Sequence, residues 1–196
     1  MSLGFGGPVL HPDKMTEAEV TLRLAMVIIE GRHTDKDVSV AIDGAQIKTG
    51  IQEHFPIVEF LNSFGWRNSE EDARWQCTYR HTAYKSTIVV HSSSGKGDLI
   101  AELKNGRILR VESKKGPLIR KRSSPEYPLI REAIGQLMTV KTAHPNDLPA
   151  VAIPHSEKFI ELAREWRDRP LMKNAGIHII TISRDNSVTG LEHFGI

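Results

Sequence analysis

The chain has one cysteine, no long apolar run and only a small excess of positive charge. Its single cysteine, Cys77, excludes an internal disulfide framework and is typical of a reducing compartment, so we expect a cytoplasmic protein. No apolar run approaches the ~20 residues that span a bilayer, and the first residues lack the charged-then-apolar order of a secretory signal. We therefore expect no membrane association. With 196 residues, of which 39% are hydrophobic, the chain is long enough for one compact domain.

Three kinds of site are also missing from the sequence. The nine histidines include no i, i+4 pair with an intervening glutamate, and there is no cysteine cluster, so we do not expect a zinc enzyme. The loop Ser92–Gly97 lacks the Gly-Lys-Ser/Thr ending that opens a helix in phosphate-binding loops. There is no dinucleotide-binding glycine fingerprint either. We therefore expect no nucleotide cofactor.

The formal net charge of +2 is unevenly distributed. Eight basic residues and one acid lie between Lys104 and Arg122, and the rest of the chain is net acidic. Such a stretch is either a solvated surface loop or a contact surface for a polyanion, and its proximity to a pair of acids favours the polyanion. The residues that we expect to contact nucleic-acid phosphates are Lys115, Arg120, Lys121 and Arg122.

Residues 98–114 predict a β-hairpin. The dipeptide Asn105-Gly106 favours the positive φ angles of a tight turn. A three-residue loop ending at Gly106 would place Asp98 directly opposite Glu112. Only that register sorts the apolar residues onto one face and the charged residues onto the other, because a slip of one residue exchanges the faces.

Two facing carboxylates and a nearby amine indicate metal-assisted hydrolysis of a phosphodiester. The Cβ atoms of Asp98 and Glu112 would lie ~5 Å apart, and the two carboxylates would repel each other unless a cation lies between them. We expect Mg²⁺ there, held also by the Ser113 carbonyl and water, with Lys114 orienting the attacking water and offsetting charge on the phosphate. The alternative interpretation is two surface acids paired with Arg110.

The order of predicted elements indicates an α/β protein with a mixed sheet and helices on both faces. The predicted elements are a helix at 17–30, a strand at 37–42, a helix at 51–64 or starting near Pro56, strands within 75–91, the hairpin, a helix from Pro128, a strand at 150–154, a helix after Ser156 and a strand at 177–182. We expect residues 1–50 to form an N-terminal extension of one helix and a short strand, and residues 51–196 to form the core.

These motifs and this element order resemble the PD-(D/E)XK nuclease superfamily, also called restriction-endonuclease-like. Asp98, Glu112 and Lys114 match its signature of an acid, a variable gap and acid-any-lysine, and Gly97 stands where proline is often found. The resemblance covers residues 51 to about 182. It implies a restriction-endonuclease-like core and an Mg²⁺-dependent nuclease, with Mn²⁺ as a substitute, that leaves 5′-phosphates on DNA. Restriction, repair and defence against mobile elements are compatible roles, and a homodimer is compatible too.

Some branches of this superfamily add a glutamate on the first helix and a glutamine on the helix after the hairpin. By this resemblance Glu53 or Glu59 supplies the glutamate, with Glu53 as a further metal ligand, and Gln136 supplies the catalytic glutamine. Val140 stands where a tyrosine often follows that glutamine. The alternative function is a non-catalytic nucleic-acid-binding or scaffold protein on the same fold.

Overall fold

The computed structural model describes residues 8–50, 52–69, 74–93, 95, 97–120, 123 and 125–195. The helices are α1 (Glu17–Glu30), α2 (Gly44–Ile47), α3 (Ile57–Ser63), α4 (Glu126–Met138), α5 (Glu157–Arg167) and α6 (Pro170–Ala175). The strands are β1 (Lys14–Met15), β2 (Val38–Ala41), β3 (Lys48–Thr49), β4 (Gln52–Glu53), β5 (Arg67–Asn68), β6 (Thr78–Arg80), β7 (Ile88–His91), β8 (Leu99–Glu102), β9 (Ile108–Ser113), β10 (Gly116–Pro117), β11 (Asp147–Pro154), β12 (His178–Ile182) and β13 (Val188–Thr189).

A mixed sheet organises the fold. Within the described residues it has nine strands in the order β13-β12-β11-β9-β8-β2-β7-β6-β5. Strands β9, β11 and β12 are mutually parallel, and β2 is parallel to β7, whereas β8 runs antiparallel to both of its neighbours. The connections of parallel pairs run through helices, as the geometry of such pairs requires.

Helices pack on both faces of this sheet. Strand β11 shows this directly, because Leu148 and Ala150 belong to the core beneath α1, whereas Val151 and Ile153 belong to the core beneath α4 and α5. A strand that is buried on both faces has a continuous apolar sequence instead of an alternating one. The predicted mixed α/β class, with a central mixed sheet and helices on both sides, is therefore confirmed.

The predicted N-terminal extension, residues 1–50 of what we expect to be one compact domain, shares the central sheet with the rest of the chain. Strand β2 lies inside the sheet between β7 and β8, and α1 contacts β2, β9, β11 and β12. Most of α1 is buried, including Leu22, Leu24 and Ile28. The segment expected to be an extension thus contributes to the core, because β2 completes the sheet and α1 covers it.

The hairpin has the predicted register. Strands β8 and β9 pair Leu99 with Val111 and Ala101 with Leu109, as predicted. Asp98 lies just before the first of these pairs, and its N–H donates to the Val111 carbonyl at 2.8 Å. The Leu103 N–H donates to the Arg107 carbonyl at 2.8 Å, and Gly106 has a φ of +78°. The apolar face is buried, whereas Glu102, Arg110 and Glu112 on the other face are exposed or half-buried, so the sorting of side chains decides the register.

The predicted boundaries hold for α1, whereas α3 is shorter than predicted. Helix α1 begins and ends as predicted, and the Thr16 hydroxyl accepts a hydrogen bond from the Glu19 N–H at 3.1 Å. Helix α3 is shorter than the span 51–64 and begins directly after Pro56, because proline is tolerated at a helix start but not inside a helix. Among the described residues, no helix has the length and apolar character needed to cross a membrane.

Candidate active site

A polar cleft lies where β2, β7 and β9 end and β8 begins. Its volume is about 510 Å³. The residues that line it are Glu17, Ala41, Ile42, Asp43, Gln46, Ser92, Ser93, Gly95, Gly97, Asp98, Glu112 and Gln136. Four of these are carboxylates, and none of the described lining residues is lysine or arginine. The cleft therefore has a negative potential that favours a cation over a free polyanion.

Asp98 enters the cleft from a constrained backbone. Gly97 has a φ of +100°, a conformation closed to proline, and its Cα lies so close to β9 that a Cβ would be 3.0 Å from the Val111 carbonyl oxygen. The Asp98 N–H donates to that same carbonyl at 2.8 Å, and the Ser113 N–H donates to Asp98 Oδ2 at 2.7 Å. The carboxylate is thus held in one orientation on β9.

The Glu112 carboxylate raises the pKa of Asp98, whereas the hydrogen bond between the two side chains lowers the pKa of Glu112. Burial raises the pKa of Asp98 to about 7, and the facing Glu112 carboxylate adds to the increase. Burial also raises the pKa of Glu112, and the Glu17 carboxylate acts in the same direction, whereas Lys114 opposes it. The pair therefore binds a positive charge favourably, whether a proton or a metal ion.

Glu17 is a site residue that the sequence analysis missed. It stands in the first turn of α1, with Oε1 accepting from Gln46 Nε2 at 3.1 Å and Oε2 lying 3.7 Å from Lys114 Nζ. Strand β1 precedes it and pairs antiparallel with β10, directly after Lys114. This pairing brings the start of α1 to the end of β9. The only local signal was an acidic first helical turn, which ordinarily complements the helix dipole.

Lys114 is buried beneath the cleft instead of lining it. Only 4% of the residue is exposed, and its ammonium group lies 3.2 Å from Glu132 Oε1 on α4, with Glu17 on the other side. An ammonium group buried to this degree is stable only because carboxylates compensate its charge. The predicted catalytic lysine is therefore next to Asp98 and Glu112 in the fold, but its ammonium group is paired with the carboxylates of Glu17 and Glu132.

The structure places the remaining glutamate and glutamine candidates differently. Gln136 is exposed on α4 and lines the cleft, as the resemblance implied. Glu53 does not line the cleft; it lies on the exposed strand β4, opposite Lys48. Glu59 is on α3, where its charge acts on Tyr79 of β6. The glutamate of a helix that does line the cleft is Glu17, because α1 packs across the central strands.

The predicted phosphate-contacting residues lie after β9. Lys115 is exposed, and Arg120 is exposed with its guanidinium group 3.3 Å from Glu157. Lys121 and Arg122 lie outside the described residues. Arg110, the partner considered in the alternative interpretation, instead pairs with Asp147 at 3.4 Å. The two acids of the hairpin are therefore not neutralised by Arg110.

The donor set suits a hard, oxygen-binding cation such as Mg²⁺. Asp98 and Glu112 are adjacent carboxylates in a cleft whose burial penalises their joint ionisation. In the described part of the chain, no group of three or more histidine, cysteine or acidic side chains is arranged as a metal site. An ion at this place would thus be held by two carboxylates, with the Ser113 carbonyl and water as the remaining ligands expected from the sequence. Glu17 lies beside that set and is directed toward Lys114 and Gln46.

Comparison with protein-family models, with curated proteins and with solved structures finds no match to this chain. The class of protein is therefore inferred from its fold and the cleft.

Proposed function

We propose that this protein is an Mg²⁺-dependent nuclease with a restriction-endonuclease-like core that hydrolyses phosphodiester bonds in DNA. The observation that carries the proposal is the Asp98–Glu112 pair, two interacting carboxyl groups that line one cleft, where burial raises the pKa of Asp98 to about 7. A protein gains no stability from such a pair in the absence of a cation. Its presence beside a lysine and a glutamine is best explained by metal-assisted phosphodiester chemistry.

Each residue near the cleft has a chemical role in this proposal. Asp98, Glu112 and the Ser113 carbonyl would hold Mg²⁺ or Mn²⁺, and the Glu17 carboxylate beside them would add to the negative charge of the cleft without being a ligand. The bound metal would supply an activated water and neutralise charge on the phosphate.

The other polar groups would act on the substrate itself. The Lys114 ammonium donates to the phosphate oxygen that gains charge, and the Gln136 amide orients the attacking water or a phosphate oxygen. Exposed Lys115 and Arg120, together with Lys121 and Arg122, contact backbone phosphates without reading sequence. A cytoplasmic location and a homodimer that cuts both strands complete the proposal.

Cleavage assays on plasmid and linear DNA test this function. Wild-type protein should cut with Mg²⁺ or Mn²⁺ and not with EDTA, and Asp98→Asn and Lys114→Ala should each lose at least ~100-fold in rate. Lys158→Ala removes a lysine of α5 that pairs with Glu161, so it should cut normally. Equal cleavage by wild type and Lys114→Ala would contradict the proposal, because it would place the activity elsewhere or in a contaminant.

One observation favours the alternative, a non-catalytic nucleic-acid-binding protein: the ammonium of Lys114 is engaged by carboxylates. Calorimetry with Mn²⁺ separates the two functions. A nuclease should bind the ion in wild type and lose it in Asp98→Asn, whereas a binding module should show no metal site and unchanged DNA affinity in that variant.

A further inference from the structure

Two carboxylates from different helices enclose the ammonium group of Lys114. Glu132 of α4 lies 3.2 Å from Nζ, and Glu17 of α1 lies 3.7 Å from it. The described residues that line the cleft include Glu17 and Gln136 but neither Lys114 nor Glu132. A phosphate group that enters the cleft therefore reaches Lys114 only after one of these carboxylates has moved.

The two carboxylates differ in how firmly they are held. The Glu17 side chain is 18% exposed and accepts a hydrogen bond from Gln46, so both of its oxygens face protein groups. The Glu132 side chain is 58% exposed. Because an exposed carboxylate regains its hydration when it turns toward water, moving Glu132 costs little. Glu132 is thus the carboxylate that can be displaced.

We propose that Glu132 is a displaceable cover over Lys114, and that a backbone phosphate of the substrate takes its place. This inference rests on the proposed function and describes how access of phosphate to Lys114 in the same site is regulated. The exchange replaces one anion by another at the ammonium group, so the buried charge of Lys114 stays compensated throughout. Glu132 then lowers the affinity of the free protein for phosphodiesters and excludes weak anions from Lys114.

The placement of Glu132 on α4 supports this exchange. Glu132 and Gln136 are four residues apart, so they lie on the same helix face one turn from each other. Gln136 lines the cleft. When the Glu132 carboxylate turns to solvent, this helix face presents the Gln136 amide and the uncovered Lys114 ammonium to the same phosphate.

The test measures the binding of a fluorescent duplex of about 20 base pairs by anisotropy, with Ca²⁺ as a hard, oxygen-binding cation. Each sample is checked on a gel for intact DNA. Glu132→Gln should bind roughly fivefold more tightly than wild type, the equivalent of losing one exposed ion pair that competes with the ligand. Glu161→Gln is the matched control, because it removes the same charge from an exposed pair with Lys158. It should change the affinity less than twofold.

A second pair of variants assigns the effect to Lys114. In a Lys114→Met background the Glu132→Gln substitution should no longer tighten binding, because there is no ammonium left to uncover. If Lys114→Met does not fold, the comparison of Glu132→Gln with Glu161→Gln decides whether Glu132 lowers the affinity for DNA. Mn²⁺ affinity, measured by calorimetry, should be the same in Glu132→Gln and wild type.

Four results would overturn this inference: equal affinities of Glu132→Gln and Glu161→Gln, weaker binding by Glu132→Gln, an effect that persists in Lys114→Met, or loss of Mn²⁺ binding in Glu132→Gln. If the wild-type protein cleaves DNA but Glu132→Gln and Glu161→Gln bind DNA equally, only the proposed role of Glu132 as a cover is refuted. A wild-type protein that neither binds nor cuts DNA refutes the proposed function, and the cover with it.

Discussion

Replacing Asp98 by asparagine should stabilise the metal-free protein while abolishing its metal site. The substitution preserves shape, and the oxygen of the introduced amide could still accept the hydrogen bond that the Ser113 N–H gives to Asp98 at 2.7 Å. What changes is the charge. A neutral amide does not ionise, so its burial beside Glu112 carries no electrostatic penalty.

The size of the effect follows from the pKa of Asp98, which rises from 3.8 to about 7 on folding. Each pKa unit corresponds to ~1.4 kcal/mol, so the difference approaches ~4 kcal/mol. The folded state holds this proton more tightly than the unfolded state does. The contribution of Asp98 to stability is therefore fully present below pH ~4 and is lost as the pH rises to about 7. The asparagine variant has no such loss.

Urea unfolding in EDTA at pH 4.5 and at pH 8 measures this difference. The two proteins should be nearly equal in stability at pH 4.5, and Asp98→Asn should be more stable at pH 8 by about 2 to 4 kcal/mol. Asp35→Asn, an exposed aspartate beside Lys104, serves as the control and should show no pH-dependent gain above ~0.5 kcal/mol. Mn²⁺ should then stabilise wild type and leave Asp98→Asn unchanged. Parallel pH profiles for wild type and Asp98→Asn would refute the reasoning, because the carboxylate would then be as well solvated in the fold as in the unfolded chain.

Four further substitutions test residues at the cleft and away from it. Glu17→Gln should weaken Mn²⁺ binding about tenfold in calorimetry, whereas Glu53→Gln should leave it unchanged, because only the first lies at the cleft. Glu19→Gln should lower the free energy of unfolding by roughly 3 kcal/mol in urea, since this buried carboxylate compensates two arginines; a loss below ~1 kcal/mol would show that water already screens them. Gly97→Ala should cost about 1 to 3 kcal/mol and weaken Mn²⁺ binding, because its φ is +100° and a Cβ would crowd the Val111 carbonyl; unchanged stability would mean that the strand adjusts freely.

The hairpin could be predicted because its determinants are local. The turn residues Asn105-Gly106 and the alternation of apolar and charged residues both lie within one stretch of chain, and together they allow one register. The proximity of Asp98 and Glu112 follows directly. Gln136 was singled out only by the family resemblance, because the polar side of an amphipathic helix holds several residues and its pattern does not distinguish among them.

The residues that sequence reasoning missed depend on contacts between distant segments. Glu17 reaches the cleft because β1 pairs with β10, and no local pattern in residues 14–15 indicates a partner about one hundred residues later. The central position of β2 was missed for the same reason, because a short alternating strand looks the same at an edge and in the middle of a sheet. The cover of Glu132 over Lys114 is a side-chain contact between two elements, and only their packing reveals it.

The late pairing of β1 with β10 has a consequence for biosynthesis. A ribosome releases the segment that carries Glu17 long before it releases Gly116 and Pro117, to which the first strand binds, and α4 emerges later still. An unfinished polypeptide that ends before Gly116 thus lacks the strand pairing that brings Glu17 to Asp98 and Glu112. If the protein cuts DNA, the cell is protected from truncated products, because hydrolytic capacity arises only when translation has passed the fourth helix.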